Sequence, residues 1–247
     1  MAFDFIITSQ SGFKAVGHTQ NATAGGYTSN LTYPQDIPSG PTNYAYTLYG
    51  HGEKVTKILS RIIPAGKDSI GRPGNFLAHH LVLENDNETK RAKCGPAFLL
   101  KRRSWLAKWE HDDFQKYLPS QIVENDYLPI KTLPIWMTKH SDWDWETDLL
   151  KKLEDSINNE KKYVIFYDGK KYSGEDILDI FYVAMSRIES ERRWKIPFAT
   201  SAASIHERLG WKWMGVDLND EKSKPKLYPA DWRGNPKPSA PEKIELP

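Results

Sequence analysis

Two β-prone runs, at residues 44–49 and 55–63, flank a glycine-bearing turn at residues 50–53. Aromatic and β-branched residues favour extended backbone and glycine suits the turn, so this pattern predicts an antiparallel hairpin. Polar and apolar residues alternate imperfectly along both runs, which is typical of strands with one buried face. Further β-rich runs at residues 3–8 and 78–83 extend the prediction to a mostly antiparallel sheet in the first half of the chain.

Two amphipathic helices are predicted in the second half of the chain. In the first, an apolar residue recurs at every fourth position, at Trp145, Leu149, Leu153 and Ile157. This spacing predicts a helix over residues 143–159. The second helix begins after Ser173, a good N-cap residue, and ends near residues 192–193, where cations suit the helix dipole. The α+β fold is completed by strands at residues 162–168, 194–200 and 209–218.

The chain is long enough, at 247 residues, for one large domain. We expect residues 1–221 to form a single α+β domain, and the irregular, proline-containing region at residues 110–142 is where it would subdivide. Residues 222–247 are rich in proline and charge, and they lack the periodicity that would bury one face. They are predicted to form a Pro-rich C-terminal tail or a linker.

Charge and cysteine usage narrow the classes of partner and compartment. Lys and Arg total 34 against 32 Asp and Glu, a net charge of +2, so a nucleic-acid partner is not expected. The single cysteine, Cys94, cannot form an internal disulfide, which favours a reducing compartment. The first residues lack the basic and apolar regions of an export signal, and no membrane segment is recognisable, so we expect a cytoplasmic protein.

Two adjacent histidines, His79 and His80, follow the glycine-bearing segment at residues 71–74. On a strand their side chains point to opposite faces, so at most one of them can line a given site. As a general base, either imidazole would need an orienting carboxylate, and Asp68 and Glu84 are the nearest in sequence. The alternative is structural: one histidine would be hydrogen-bonded in the core or an interface, and the other would be solvated.

A cluster of hydrogen-bond donors lies in the same region. Arg61, Arg72 and Asn75 stand near flexible glycines, a combination that can hold a carboxylate or a phosphate group. The alternative is that residues 71–74 only form a turn, with Arg72 paired to Asp68. We assign no catalytic residue, and the candidate binding residues are Arg61, Asp68, Arg72, Asn75, His79 and His80.

Familiar catalytic signatures do not occur in the sequence. There is no His-Glu-x-x-His arrangement and no pair of cysteines that could bind zinc. There is also no Gly-x-Ser-x-Gly nucleophile elbow, and Cys94 is typical of a small buried residue. Neither a metal nor a cofactor is therefore expected.

Several of these segments together resemble a known protein family. They are residues 5–9, 59–61, 68–72, 78–83 and 95–97, with an Arg-x-x-Asn-x-x-Ala-His core from Arg72 to His79. They resemble the N-terminal domain of bacterial GTPase-associated proteins. Residues 193–200 resemble a basic-Trp-x-x-x-Phe-x-Thr strand of the same group, so the likeness extends over roughly residues 3–216. The resemblance implies an adaptor beside a GTPase or other NTPase in a bacterial conflict system, and no enzymatic activity follows from it.

Two functions from different classes are consistent with these patterns. The first is a non-catalytic adaptor or recognition module of a bacterial NTPase-linked conflict or defence system, which binds a protein or peptide partner. The second is a hydrolase or transferase with His79 or His80 as acid or base and Arg72 as the clamp on an anionic substrate. A third interpretation is that the segment only closes the sheet. Donor groups without a recognisable nucleophile favour the adaptor.

Overall fold

Ten strands form one mixed sheet in the part of the chain that the structure describes. The computed structural model describes residues 2–8, 14–19, 42–49, 55–66, 75–83, 94–102, 105–108, 115–117, 133–139, 143–159, 161–201, 210–219 and 242–247. The strands are β1 (Ala2–Thr8), β2 (Lys14–Thr19), β3 (Asn43–Tyr49), β4 (Thr56–Gly66), β5 (Asn75–Leu83), β6 (Gln115–Tyr117), β7 (Tyr163–Tyr167), β8 (Phe198–Ala199), β9 (Trp213–Asp217) and β10 (Glu242–Glu245). Their order across the sheet is β10-β7-β9-β8-β3-β4-β5-β1-β2-β6.

The predicted hairpin is present as β3 and β4, near the middle of the sheet. Its register places Tyr46 opposite Leu59 in an antiparallel pair. β5 pairs antiparallel with β4 on one side and with β1 on the other, and β1 pairs antiparallel with β2. The antiparallel sheet predicted from the first half of the chain is therefore confirmed for β1–β5.

The other half of the sheet is parallel. β10, β7, β9 and β8 run in one direction, and β2 also pairs in parallel with β6. A β-rich run does not reveal the direction of its partner, because parallel pairs are joined by crossovers between distant segments. The sheet is mixed, so the expectation of a mostly antiparallel sheet does not extend to β7–β10. β10 itself lies inside the predicted tail, and the proline-rich composition did not predict it.

Both predicted helices are present, with different ends. The described helices are α1 (Pro96–Arg102), α2 (Ile135–Thr138), a π-helical segment (Trp145–Leu150) that continues into α3 (Lys151–Asp155), α4 (Gly174–Ser186) and α5 (Ser190–Arg193). The second predicted helix ends earlier than expected, because Arg192 and Arg193 belong to the separate helix α5. Among the described residues, no helix combines the length and the apolar character needed to cross a bilayer.

The start of α4 follows from its sequence. The Ser173 hydroxyl accepts a hydrogen bond from the Asp176 backbone N–H at 3.2 Å, and the Asp176 carboxylate accepts one from the Ser173 backbone N–H at 2.7 Å. This reciprocal pair is a capping box, and such an N-cap stabilises a helix by about 1 kcal/mol. The N-cap predicted at Ser173 is therefore confirmed.

The core lies on both faces of the sheet. On the face that carries the helices, Trp213 is fully buried beside Phe181, and its indole N–H donates to the Ser156 hydroxyl at 2.8 Å. On the opposite face, Trp211 packs in a smaller cluster with Val164, Phe166, Ala199, Met214 and Val216. A continuous strand over residues 209–218 would place Trp211 and Trp213 on one face, because they are two positions apart. They separate because β9 begins only at Trp213, after a turn in which Gly210 has a φ of 62°.

Candidate functional site

β4 and β5 bring the candidate side chains together in register. Arg61 lies opposite His79, and Ser60 lies opposite His80. Because β5 has β4 and β1 as neighbours, both histidines lie on an interior strand. The two remaining candidates, Asp68 and Arg72, lie outside the described residues.

His80 is buried and forms a hydroxyl–imidazole pair with Ser60. The Ser60 Oγ and His80 Nδ1 atoms are 2.7 Å apart, and His80 is only 1% exposed. Within the part of the chain that the structure describes, His80 Nε2 has no hydrogen-bond partner. Burial, followed by the nearby His79, lowers the pKa of His80 to about 3. The imidazole is therefore neutral at physiological pH, and it is a much weaker base than general-base catalysis near pH 7 requires.

His79 faces the other side of the sheet and packs beneath residues 105–108. Its ring lies edge to face with Trp105, with ring centroids 5.0 Å apart, and its Nδ1 accepts the Leu106 backbone N–H at 3.3 Å. His79 is 3% exposed. A buried imidazole with these neighbours positions the backbone of a connecting segment.

Arg61 holds the same connecting segment and also reaches α4. Its guanidinium donates to the Leu106 carbonyl oxygen at 2.9 Å and hydrogen-bonds to the Tyr44 side chain. The Tyr44 hydroxyl donates to the Glu175 carboxylate at 3.1 Å. Burial raises the pKa of Tyr44, so its hydroxyl remains protonated and able to donate. Arg61 is thus engaged by groups of the protein itself.

Asn75 begins β5, at a distance from the histidines. Its side-chain amide donates to the Gly66 carbonyl oxygen at 3.3 Å across the β4–β5 pair. Four residues separate it from His79, which corresponds to roughly 13 Å of strand. The candidates therefore form three separate environments: Arg61 with His79 on one face, His80 with Ser60 on the other, and Asn75 at the start of the strand.

The sequence patterns did not indicate several of the residues that contact the candidate side chains. Ser60 could have been found, because the antiparallel register of β4 and β5 places it opposite His80. Trp105 and Leu106 could not, because no local pattern ties a connecting segment to a strand that precedes it by more than 20 residues. The contact of Glu175 with Tyr44 could not be found either, because it depends on how α4 lies on the sheet.

The motif residues outside β4 and β5 have structural roles. Gly95 has a φ of 88° and packs against Arg193, where an added Cβ would lie 3.0 Å from Arg193 Cβ. The Trp194 carbonyl oxygen accepts a hydrogen bond from the Tyr46 hydroxyl at 2.7 Å. The Thr200 hydroxyl accepts the Tyr44 backbone N–H at 2.9 Å. These contacts attach the end of β8 and the residues before it to β3.

Neither thiolate nor metal chemistry is supported in the described residues. Burial raises the pKa of the Cys94 thiol to about 11, so the thiol stays protonated at neutral pH. Among the residues that the structure describes, no group of three or more His, Cys, Asp or Glu side chains is placed to hold a metal ion.

The stability of the fold is expected to fall in acid through His80. An unfolded histidine has a pKa of 6.5, whereas the folded His80 has a pKa of about 3, so lowering the pH protonates the unfolded chain first. The stabilisation is complete above about pH 6.5 and is lost progressively toward about pH 3. Between about pH 6.5 and about pH 5 it falls by about 2 kcal/mol, at 1.36 kcal/mol per pH unit. Urea unfolding at each pH measures this change.

Two variants separate His80 from the other titrating groups. The double variant Ser60→Ala with His80→Leu removes the imidazole and its partner. Between about pH 6.5 and about pH 5, its free energy of unfolding is expected to fall by about 2 kcal/mol less than that of the wild type. Ser60→Ala alone keeps the imidazole and should retain most of the slope. If the free energy of unfolding fell equally with pH in the wild type and the double variant, the prediction would be contradicted.

Comparison with known proteins finds a family model that matches part of the chain. Residues 10–121 match the model of GTPase-associated protein 1, N-terminal domain type 2. No curated protein and no solved structure matches the chain. The predicted resemblance is confirmed over residues 10–121, which contain all six candidate residues. Residues 193–200 lie outside the match, so their kinship to the same group stays a prediction.

Proposed function

We propose that this chain, whose residues 10–121 match the GTPase-associated protein 1 N-terminal domain family, is a non-catalytic adaptor that binds a GTPase or other NTPase in the bacterial cytoplasm. The proposal places it in an NTPase-linked conflict or defence system. A protein surface, rather than a reaction centre, would then be its functional part.

The proposal rests on one observation. In the described residues, the polar side chains that could have held or processed a substrate are hydrogen-bonded to other groups of the protein. Arg61 and His79 both bond to the backbone of Leu106, and His80 bonds to Ser60. Side chains used in this way position β4, β5 and the segment that covers them. They support a rigid scaffold, and the family match supplies the class of partner.

The hydrolase or transferase alternative needs an imidazole that reaches a substrate. His79 and His80 are 3% and 1% exposed, and the lowered pKa of His80 makes it a poor proton acceptor at neutral pH. Arg61, the cationic anion-binding candidate among the described residues, already bonds to Leu106 and Tyr44. These contacts favour binding over catalysis.

The adaptor function is tested with purified components. The chain is mixed with each NTPase encoded by its neighbouring genes, and complex formation is followed by isothermal titration and by light scattering after gel filtration. We expect a stoichiometric complex with one NTPase, with a Kd on the order of 1 µM or tighter, which corresponds to about −8 kcal/mol. Turnover of p-nitrophenyl phosphate and p-nitrophenyl acetate is expected to stay at the buffer rate.

The variant Arg72→Ala tests whether the segment between β4 and β5 belongs to the recognition surface. We expect it to weaken the complex at unchanged thermal stability. Equal binding by Arg72→Ala would remove that segment from the interface. Absence of a complex with every neighbouring NTPase, combined with ester or phosphate turnover that His79→Asn abolishes, would overturn the adaptor in favour of the enzyme.

A further inference from the structure

β10 is a short strand that adds to the outer edge of β7 after the intervening residues 220–241. The pairing is parallel, and Ile244 lies opposite Ile165. The Glu242 backbone N–H donates to the Lys162 carbonyl oxygen at 2.8 Å, and the Leu246 N–H donates to the Phe166 carbonyl oxygen at 2.9 Å. The segment is thus held as an added strand along the whole of β7.

The side chains of the added strand alternate between buried and exposed positions. Ile244 is 5% exposed and belongs to the main core, and Leu246 packs against the same core. Lys243 and Glu245 are exposed, with the Lys243 ammonium 5.8 Å from the centre of the Phe166 ring. The pattern of the added strand therefore contains two aliphatic residues, two positions apart: Ile244 lies in the core beside β7, and Leu246 packs against it.

Polar contacts hold both ends of the segment. Glu242 forms an ion pair with Lys161 at the start. The Tyr172 hydroxyl donates to the Pro247 carbonyl oxygen at 2.9 Å at the end. An acidic residue two positions before the first aliphatic residue thus completes the pattern. β7 thus offers side-chain contacts to the segment in addition to the backbone edge with which β10 pairs.

The remainder of β7 is built to accept such a ligand. All five residues of β7 are buried, and β9 pairs with its other side. Without β10, the strand would expose a row of backbone N–H and C=O groups beside an open apolar socket, which is the arrangement used in β-strand addition. This edge is covered by β10, which has four residues, and only Ile244 among them has a buried side chain.

We propose that the β7 edge is a β-addition site for an extended segment of the partner protein with the pattern acidic-x-aliphatic-x-aliphatic, and that residues 242–247 occupy it as a competing ligand in cis. The inference rests on the proposed adaptor function. A tethered ligand meets its site at an effective concentration on the order of 1 mM, so the same segment of a second copy competes poorly at ordinary protein concentrations. A partner whose segment also fills the two exposed positions with bulkier side chains displaces β10.

The test measures binding of a fluorescein-labelled peptide, Pro-Glu-Lys-Ile-Glu-Leu-Pro, to the full-length chain by fluorescence anisotropy. In the wild type, β10 competes for the socket. In Ile244→Asp, a carboxylate cannot occupy the apolar position, so the socket is vacated. We expect Ile244→Asp to bind the peptide at least tenfold tighter than wild type. The matched control, Glu245→Gln, changes an exposed side chain and should behave as wild type, and a peptide with Asp in place of Ile should bind neither chain.

Two readouts keep the result interpretable. Near-ultraviolet circular dichroism and gel filtration establish that Ile244→Asp is folded, and a folded variant that binds no better than wild type overturns the inference. If the variant does not fold, amide hydrogen exchange of the wild type decides. We expect the Glu242 and Leu246 amides to exchange at least tenfold faster than those of β9, and equal rates would overturn the inference. A wild-type dimer that exchanges residues 242–247 between copies would overturn the choice of a partner segment.

The outcome for the socket is separable from that for the adaptor function. If the peptide binds Ile244→Asp but no NTPase binds the chain, the adaptor proposal fails and the β-addition site remains. If an NTPase binds both wild type and Ile244→Asp equally while the peptide binds neither, the adaptor proposal stands and the β7 site fails.

Discussion

Replacing Gly215 with alanine is expected to destabilise the fold by at least about 3 kcal/mol, the upper end of what overpacking usually costs. Gly215 lies in the middle of β9. An added Cβ would lie far inside van der Waals contact with the Thr200 carbonyl oxygen and 3.0 Å from Ile177 Cγ2 on α4. The main obstacle is backbone, so no side-chain rotation relieves it.

The Thr200 backbone cannot retreat without further loss. Its N–H donates to the Tyr44 carbonyl oxygen at 2.8 Å, and its hydroxyl accepts the Tyr44 N–H at 2.9 Å. Movement of Thr200 would break these bonds between β3 and the end of β8. The clash at Gly215 therefore spreads into the junction of the two halves of the sheet.

Urea denaturation measures the change, and Gly66→Ala is the matched control. Gly66 has a φ of 76°, but an added Cβ there meets nothing within 4 Å. Its substitution carries only the conformational cost of a positive φ, about 1 kcal/mol. A free energy of unfolding for Gly215→Ala equal to or above that for Gly66→Ala would contradict the close approach of β9 to Thr200.

Replacing Arg193 with methionine is expected to cost about 3 kcal/mol or more. Arg193 is 6% exposed, and its Nε–H lies 2.8 Å from the Met185 carbonyl oxygen and 2.9 Å from that of Ile188. Its terminal nitrogen also donates to the Ser186 carbonyl oxygen at 3.4 Å. These carbonyl groups lie at the C-terminal end of α4 and just after it, where the supply of helical N–H donors runs out. Methionine would fill much of the volume but remove the guanidinium donors, at about 1–3 kcal/mol for each hydrogen bond that is not replaced.

The neighbouring Arg192 provides the control for the loss of charge. Its guanidinium donates to Asn158 Oδ1 at 2.8 Å at the surface, so Arg192→Met should cost no more than about 1 kcal/mol. Thermal and urea unfolding of both variants give the comparison. Equal destabilisation would show that Arg193 does not act as the cap of α4.

Local signals predicted the elements that local physics determines. The hairpin of β3 and β4 follows from β-prone runs around a glycine turn, and the start of α4 follows from Ser173 and Asp176, which satisfy each other's backbone groups. The opposite orientation of His79 and His80 also follows, because alternation is a property of every strand. In each case the interacting groups are close in sequence or linked by a short turn.

The rest depended on contacts between distant segments. Arg193 looked like a cation at the end of a long helix, whereas it folds back to cap α4 from a separate helix. The cover of His79 by Trp105 depends on tertiary packing. β10 was hidden because one buried side chain, Ile244, in a proline-rich segment carries no periodic signal. The sequence named candidate residues, whereas the separate environments of those that the structure describes depend on the register of the sheet.

β8 has a mechanical consequence. This strand has only two residues, yet it joins the antiparallel strands to the parallel ones, with two paired positions on each side. Under load across the strands, we expect the sheet to separate first at β8. The family match ends at residue 121, before any of the parallel strands β7–β10 begins. A force applied to one half of the sheet would reach the other through β8 and the hydrogen bonds between Tyr44 and Thr200 beside it.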